Sequence, residues 1–240
     1  MNFSIDKAII EKHSDICIGA VIAEGIDNTK DYPELSKMLL DQVNSVHLEL
    51  AEKRVKELDF LQPYRECMET LGVNKNKYPC SIEAILTRIA KKPEFPIILP
   101  VVDIGNYVSL KYKIPIGAHD RDSFITGDKS GWPAGLTVRF STEADLAANT
   151  GPSFDDFSAG EPVYASGNSI RTRRWIWRQP EAGKIASTGR NFVFPLDGFT
   201  CNLETVIKAR DELAVLVKQF FSCNVRTGML DKNNLSMGVS

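Results

Sequence analysis

Along this 240-residue chain the apolar spacing switches from helical to extended and back, which limits the architecture more than any other feature. From Pro33 onward Leu35, Leu39, Val43, Val46 and Leu50 recur every three or four positions, predicting an amphipathic helix from Pro33 to about Leu58. A second helix is expected over Pro63–Leu71, stopped by Gly72. A third starts at Ser81 as N-cap, carries Ile82, Ile85 and Ile89 on one face, and ends at Lys91-Lys92-Pro93. Between Leu136 and Phe199 the pattern becomes short β-branched and aromatic runs broken by Gly and Pro. Strands are expected at Leu136–Phe140, Pro162–Ala165, Ser169–Trp177 and Asn191–Leu196. Helical spacing returns over Leu203–Ser222, with Asn202 as its cap. Ile16–Ala23 reads as a buried strand, Ile97–Val102 as an extended entry to the segment beyond, and the residues after Cys223 as a polar, frayed tail. This order fits an α+β fold, mixed β-sheets with flanking helices, better than a regular alternation of strand and helix. The expected partition is an N-terminal helical and strand part over 1–77, the main unit over 78–222, and a tail over 223–240.

A chain of this length buries roughly 70 to 75 per cent of its unfolded surface, enough for one large domain. Its formal charge of −2 argues against indiscriminate nucleic-acid binding, so RNA contact would need a local basic surface, and no DNA partner is expected. Five cysteines without a Cys-x-x-Cys pair and three dispersed histidines give no metal-ligand spacing; neither metal nor cofactor is expected, and the thiols read as buried and reduced. No window reaches the apolar length of a membrane span, and the N-terminus has no basic region followed by an apolar core. The expectation is a cytoplasmic protein without a membrane partner. Neither a phosphate-binding Gly-x-x-x-x-Gly-Lys nor a dinucleotide Gly-x-Gly-x-x-Gly is present, which leaves no means of activating an amino acid.

Two segments carry chemistry. In Asp103–Asp120, Gly105 and Gly117 bracket a short helix or turn with an extended exit at Pro115-Ile116; each glycine either makes a turn or lets a ligand approach. His119, beside Asp120, is either a general base on water or a loop histidine. In Arg171–Gln179, read as a strand, alternation puts Arg171, Arg173, Trp175, Trp177 and Gln179 on one face and Thr172, Arg174, Ile176 and Arg178 on the other. Arginine beside indole suits phosphate contact and base stacking. The alternative is that the tryptophans fill the core and the arginines pair with Asp155, Asp156 or Glu161. The loop that follows holds Glu181, Lys184, Ser187 and Thr188, facing either a shared cleft or solvent.

Val102-Asp103-Ile104-Gly105-Asn106-Tyr107-Val108 and Pro115-Ile116-Gly117-Ala118-His119-Asp120 resemble the Val-Asp-x-Thr-Asn-Tyr-Val and Pro-x-His-Ala-Phe-Asp segments of the B3/B4 editing region of phenylalanyl-tRNA synthetase beta subunits. Similarity covers roughly Tyr78 to Phe221, and the Arg-x-Trp-x-Trp-Arg-Gln pattern resembles stand-alone relatives of that region. The resemblance implies a B3/B4-like editing fold and a stand-alone tRNA-binding protein that hydrolyses mischarged aminoacyl-tRNA in trans without aminoacylation. The aminoacylated acceptor end of tRNA would be its partner, with a synthetase as a second. It implies catalytic roles for His119 and Glu181 and substrate contacts from Gly105, Asn106, Gly117, Ser187 and Thr188. RNA contacts would come from Arg173, Arg174, Trp175, Trp177 and Arg178. Two departures stand out: Gly105 replaces the family threonine, and Gly117 replaces the family histidine. His119 lies two residues further on, where the family has phenylalanine; in an extended segment that is the same face. The alternative activity is a non-catalytic RNA or amino-acid binding module that has lost hydrolysis. A third is an interaction protein docking through its N-terminal helices.

Overall fold

The apolar run after Asp15 forms a strand, Ile16–Glu24, buried on both faces. In the computed structural model, which describes residues 1–51, 53–126 and 131–239, the elements run β1 (Asn2–Ile5), α1 (Lys7–Lys12), β2 (Ile16–Glu24), α2 (Pro33–Glu49), α3 (Gln62–Thr70), α4 (Ser81–Lys91), α5 (Pro100–Tyr112), β3 (His119–Asp120), β4 (Gly135–Phe140), α6 (Glu143–Ala148), β5 (Pro162–Ser166), β6 (Ser169–Thr172), β7 (Asn191–Phe199), α7 (Leu203–Phe221), β8 (Asn224–Leu230) and β9 (Ser236–Gly238). The strands form two sheets. One has the order β6-β5-β4-β1-β9, antiparallel except for the parallel pair β1/β4; the other is the antiparallel β3-β7-β2-β8. The fold is therefore α+β with one mixed sheet, as the sequence pattern predicts.

β2 reads as a continuous apolar run because helices and a sheet cover its two faces. Cys17, Val21 and Ala23 face a core shared with Val101, Ile104 and Val108 of α5 and Val206, Ala209, Leu213 and Val217 of α7. Ile16, Ile18, Ala20 and Ile22 face a second core with α2, α3, α4 and the other sheet. Together the faces hold β2 and β7 rigid over a full register from Ile16↔Phe199 to Glu24↔Asn191. Among the described residues no helix is long and apolar enough to cross a membrane.

Five local expectations are corrected. α2 stops at Glu49, because the chain turns extended at Arg54 and Leu58 between short 3-10 turns. Ser81 is the first residue of α4, and the N-cap is Cys80. Pro100–Tyr112 is one helix running through Gly105, with Pro100 in its first turn. Asp103 reaches back with both carboxylate oxygens to the Ile98 N–H, so 100–102 is helical and not extended. The residues after Cys223 do not fray: β8 pairs with β2 and β9 with β1, so this segment joins both sheets, Ser240 lying outside the described residues.

The strand expected over Ser169–Trp177 ends at Thr172. Arg174 and Trp175 adopt left-handed φ of 50° and 58°, and the Arg173 N–H donates to the Arg178 carbonyl at 2.9 Å, closing a tight loop. Non-glycine residues pay for that conformation in strain, which the surrounding contacts must hold. Here Arg173 bonds Glu161 at 2.8 and 2.9 Å and Asp156 at 2.8 Å, while Arg174 lies 3.6 Å over the Tyr78 ring.

Candidate functional site

A cavity of about 500 Å³ opens where α4, α5, the 115–119 segment, the 173–178 loop and β7 converge. Its apolar walls include Ile85, Phe95, Val102, Ile116 and Ile185. Two of the quoted motifs meet in it through hydrogen bonding along β7. Ile116 bridges Leu196, the Gly117 N–H donates to the Pro195 carbonyl at 3.0 Å, and His119 pairs with Val193. That register turns His119 inward. The 173–178 loop contributes Trp175, and Gln179 fastens it to the same segment by donating to the Ala118 carbonyl at 2.8 Å.

The floor is polar. Asp197, on β7 and 2% exposed, accepts the Tyr164 hydroxyl at 2.6 Å and the Trp175 indole N–H at 2.9 Å, both on Oδ1. The Tyr64 hydroxyl donates to the Asp197 carbonyl at 2.9 Å. Burial pushes the Asp197 carboxyl up to about 7 despite those two donors, so it gains and loses its proton near neutrality. His119, also 2% exposed, stacks on the same Tyr164 with ring centroids 5.4 Å apart. Its Nδ1 has no hydrogen-bond partner, and its Nε2 lies 3.4 Å from where a Cβ on Gly117 would stand. The imidazole therefore occupies space beside the position that the family pattern gives to histidine. Burial, with the Arg171 charge nearby, pushes it down to about 3, so it is a neutral imidazole at physiological pH. The neighbouring carboxylate has no part in this, since Asp120 turns away to accept the Asp122 N–H at 3.0 Å.

Of the residues singled out in the sequence, Gly105, Asn106, Gly117, His119, Trp175, Trp177 and Arg178 line this cavity. The others are elsewhere. Glu181 has a side chain 82% exposed and pairs with Lys184 at 2.6 Å; Lys184, not Glu181, borders the cavity. Ser187 lines a separate cavity of about 280 Å³ with Asp103, and Thr188 is exposed. Arg173 and Arg174 are buried and neutralised by Asp156 and Glu161, two of the acidic neighbours considered from the sequence. Trp175 is 1% exposed, whereas Trp177 and Arg178 are open enough to form a rim, with the Arg178 guanidinium 4.8 Å from the Trp177 ring centroid. Arg88 and Lys184 are the other exposed cations at the rim.

Sequence reasoning missed Asp197, the most strongly placed polar group of the floor. The signal was a carboxylate inside the apolar run Phe192-Val193-Phe194-Pro195-Leu196-Asp197-Gly198-Phe199, a position that a half-exposed strand would not give it.

The chain belongs to the B3/4 domain family, whose pattern it matches over residues 63–218. Among solved structures it is similar to an N-terminal fragment of the phenylalanyl-tRNA synthetase beta subunit from Pyrococcus horikoshii. The identity is 12% and the TM-score 0.40, over 93% of this chain and 50% of that one. The chain thus spans about half the length of that fragment. No curated protein sequence matches it.

Proposed function

We propose that this protein takes the aminoacyl end of a charged tRNA into the cavity and hydrolyses the ester in trans, with no aminoacylation chemistry of its own. The observation that carries this reading is an apolar cavity of about 500 Å³ with a polar floor and a cationic, aromatic rim. Its size suits one amino-acid side chain with its ester and part of a ribose. Trp177 offers a ring to a terminal base, and Arg178, Arg88 and Lys184 offer charge to the phosphates that follow it. Family membership and the two segments resembling an editing region support the choice of aminoacyl-tRNA over other esters.

Chemistry follows from what the site lacks as well as what it holds. A histidine held down to about 3 cannot take a proton from water at neutral pH, and Glu181 faces solvent. Water is activated instead by the vicinal ribose hydroxyl of the substrate, with the Asn106 amide orienting the carbonyl. The water oxygen bonds to the carbonyl carbon, the bond to the ribose oxygen breaks, and the water proton passes to that leaving oxygen. His119, neutral and buried, holds the substrate and does not act as base.

The second reading, binding without turnover, is favoured by the same two observations, a neutral buried His119 and a Glu181 that faces solvent. Deacylation and binding measured on one panel of aminoacyl-tRNAs separates the two. Turnover of at least one member, lost when the terminal ribose has a single hydroxyl, supports hydrolysis. Binding without turnover on every member leaves a binding module, and no binding at all overturns both.

A further inference from the structure

Three of the five buried carboxylates among the described residues are paired with an arginine, and two are not. Asp145 is paired with Arg139 at 2.6 and 2.7 Å, Glu83 with Arg65 at 2.5 Å, and Glu161 with Arg173 at 2.8 Å. Asp103 has no arginine, but it sits in the first turn of α5 and accepts the Ile98 N–H. Asp197 has only neutral donors, Tyr164 and Trp175, and makes no ion pair among the described residues. Its Oδ2 accepts no hydrogen bond from them. A buried carboxylate without a counter-charge is costly unless it is protonated or paired; Asp103 borders the smaller cavity with both its oxygens on a backbone N–H, whereas Asp197 borders the larger one with Oδ2 unused.

We propose that Asp197 is the specificity-determining residue of the cavity and selects an aminoacyl group with a distal primary ammonium, of the lysine or ornithine type. The walls fit such a side chain. Ile85, Ile116, Ile185 and Phe95 line a methylene stem, and the ammonium at its end meets the anionic floor. An ammonium supplies the missing charge and fills the empty Oδ2, in a cavity that His119, its Nδ1 buried and unpartnered among the described residues, also lines. A phenol or an aliphatic hydroxyl adds only a third neutral donor. Burial already makes this carboxyl hard to ionise, and an adjacent cation reverses that.

The inference rests on the cavity being the aminoacyl site proposed above. Its test is calorimetric titration with lysinamide, norleucinamide and tyrosinamide. All three carry the same α-ammonium and carboxamide, so only the distal end differs. Lysinamide is expected to bind at least about tenfold more tightly than norleucinamide, and Asp197→Asn to abolish that preference. If Asp197→Asn does not fold, a crystal soaked with lysinamide decides, the distal nitrogen lying within hydrogen-bond distance of Asp197 Oδ2. Equal or tighter binding of norleucinamide or tyrosinamide, preference retained in Asp197→Asn, an ammonium placed elsewhere, or no binding of any probe overturns it. Charged tRNAs hydrolysed without preference for a distal amine would sink this inference alone. Lysinamide preference without binding of any charged tRNA would sink only the functional reading.

Discussion

Two buried aspartates sit on opposite sides of the same fold problem. Asp145, fully buried in α6, is held bidentately by Arg139, whose two terminal nitrogens also reach the Phe140 and Gly167 carbonyls. Asp197, equally buried in β7, has two neutral donors and an opening into the cavity. The first is a closed electrostatic unit that fixes the end of β4 against α6. The second is left open in charge, which makes it useful to a ligand and adds nothing to the fold when ionised. Burial alone therefore does not separate these two acids; the counter-ion does.

Removing that counter-ion is the strongest way to break the contrast. Arg139→Met turns Asp145 into a second uncompensated acid, and urea unfolding is expected to show a loss of about 3–5 kcal/mol. A smaller effect separates the two by pH. Burial raises the folded-state carboxyl of Asp197 from the usual aspartate range to about 7, so its contribution is fully present below about pH 4 and is lost as pH rises through 7. Stability of Asp197→Asn relative to the parent should therefore increase between pH 5 and pH 8. A pH-independent difference would show that Asp197 stays paired in a way the contacts above do not include. The smallest effect belongs to a carboxylate outside both settings. Glu181→Ala, which removes an exposed pair with Lys184, should shift stability by less than about 0.5 kcal/mol and leave deacylation unchanged.

The helical stripes of α2, α4 and α7 and the apolar run of β2 were legible because each buries a continuous face within one stretch of chain. Legibility failed where distant partners decide. β8 is mostly polar and exposed, with no alternation to mark a strand, yet β2, some 200 residues earlier, supplies its hydrogen bonds. Gly105 reads as a turn, but packing of α5 between α2 and α7 keeps the helix intact through it. At Arg174-Trp175 no glycine or asparagine announces the left-handed backbone; ion pairs to Asp156 and Glu161 impose it. The site divides the same way. Asn106, Gly117 and His119 were found because one continuous segment carries them, and the β7 register gathers them. Asp197 lies one residue beyond the expected end of its strand, and its local mark, a carboxylate inside an apolar run, shows only once β7 is extended to Phe199.

Asp197 also joins parts of the molecule that are otherwise separate. Its strand belongs to one sheet, the Tyr164 that bonds its side chain belongs to the other, and the Tyr64 that bonds its carbonyl comes from α3. A lineage of such proteins could not exchange this residue for another without disturbing how its layers meet. Divergence in what is accepted should therefore accumulate first in the apolar walls, at positions such as Ile85, Ile116 and Ile185, and reach the floor last.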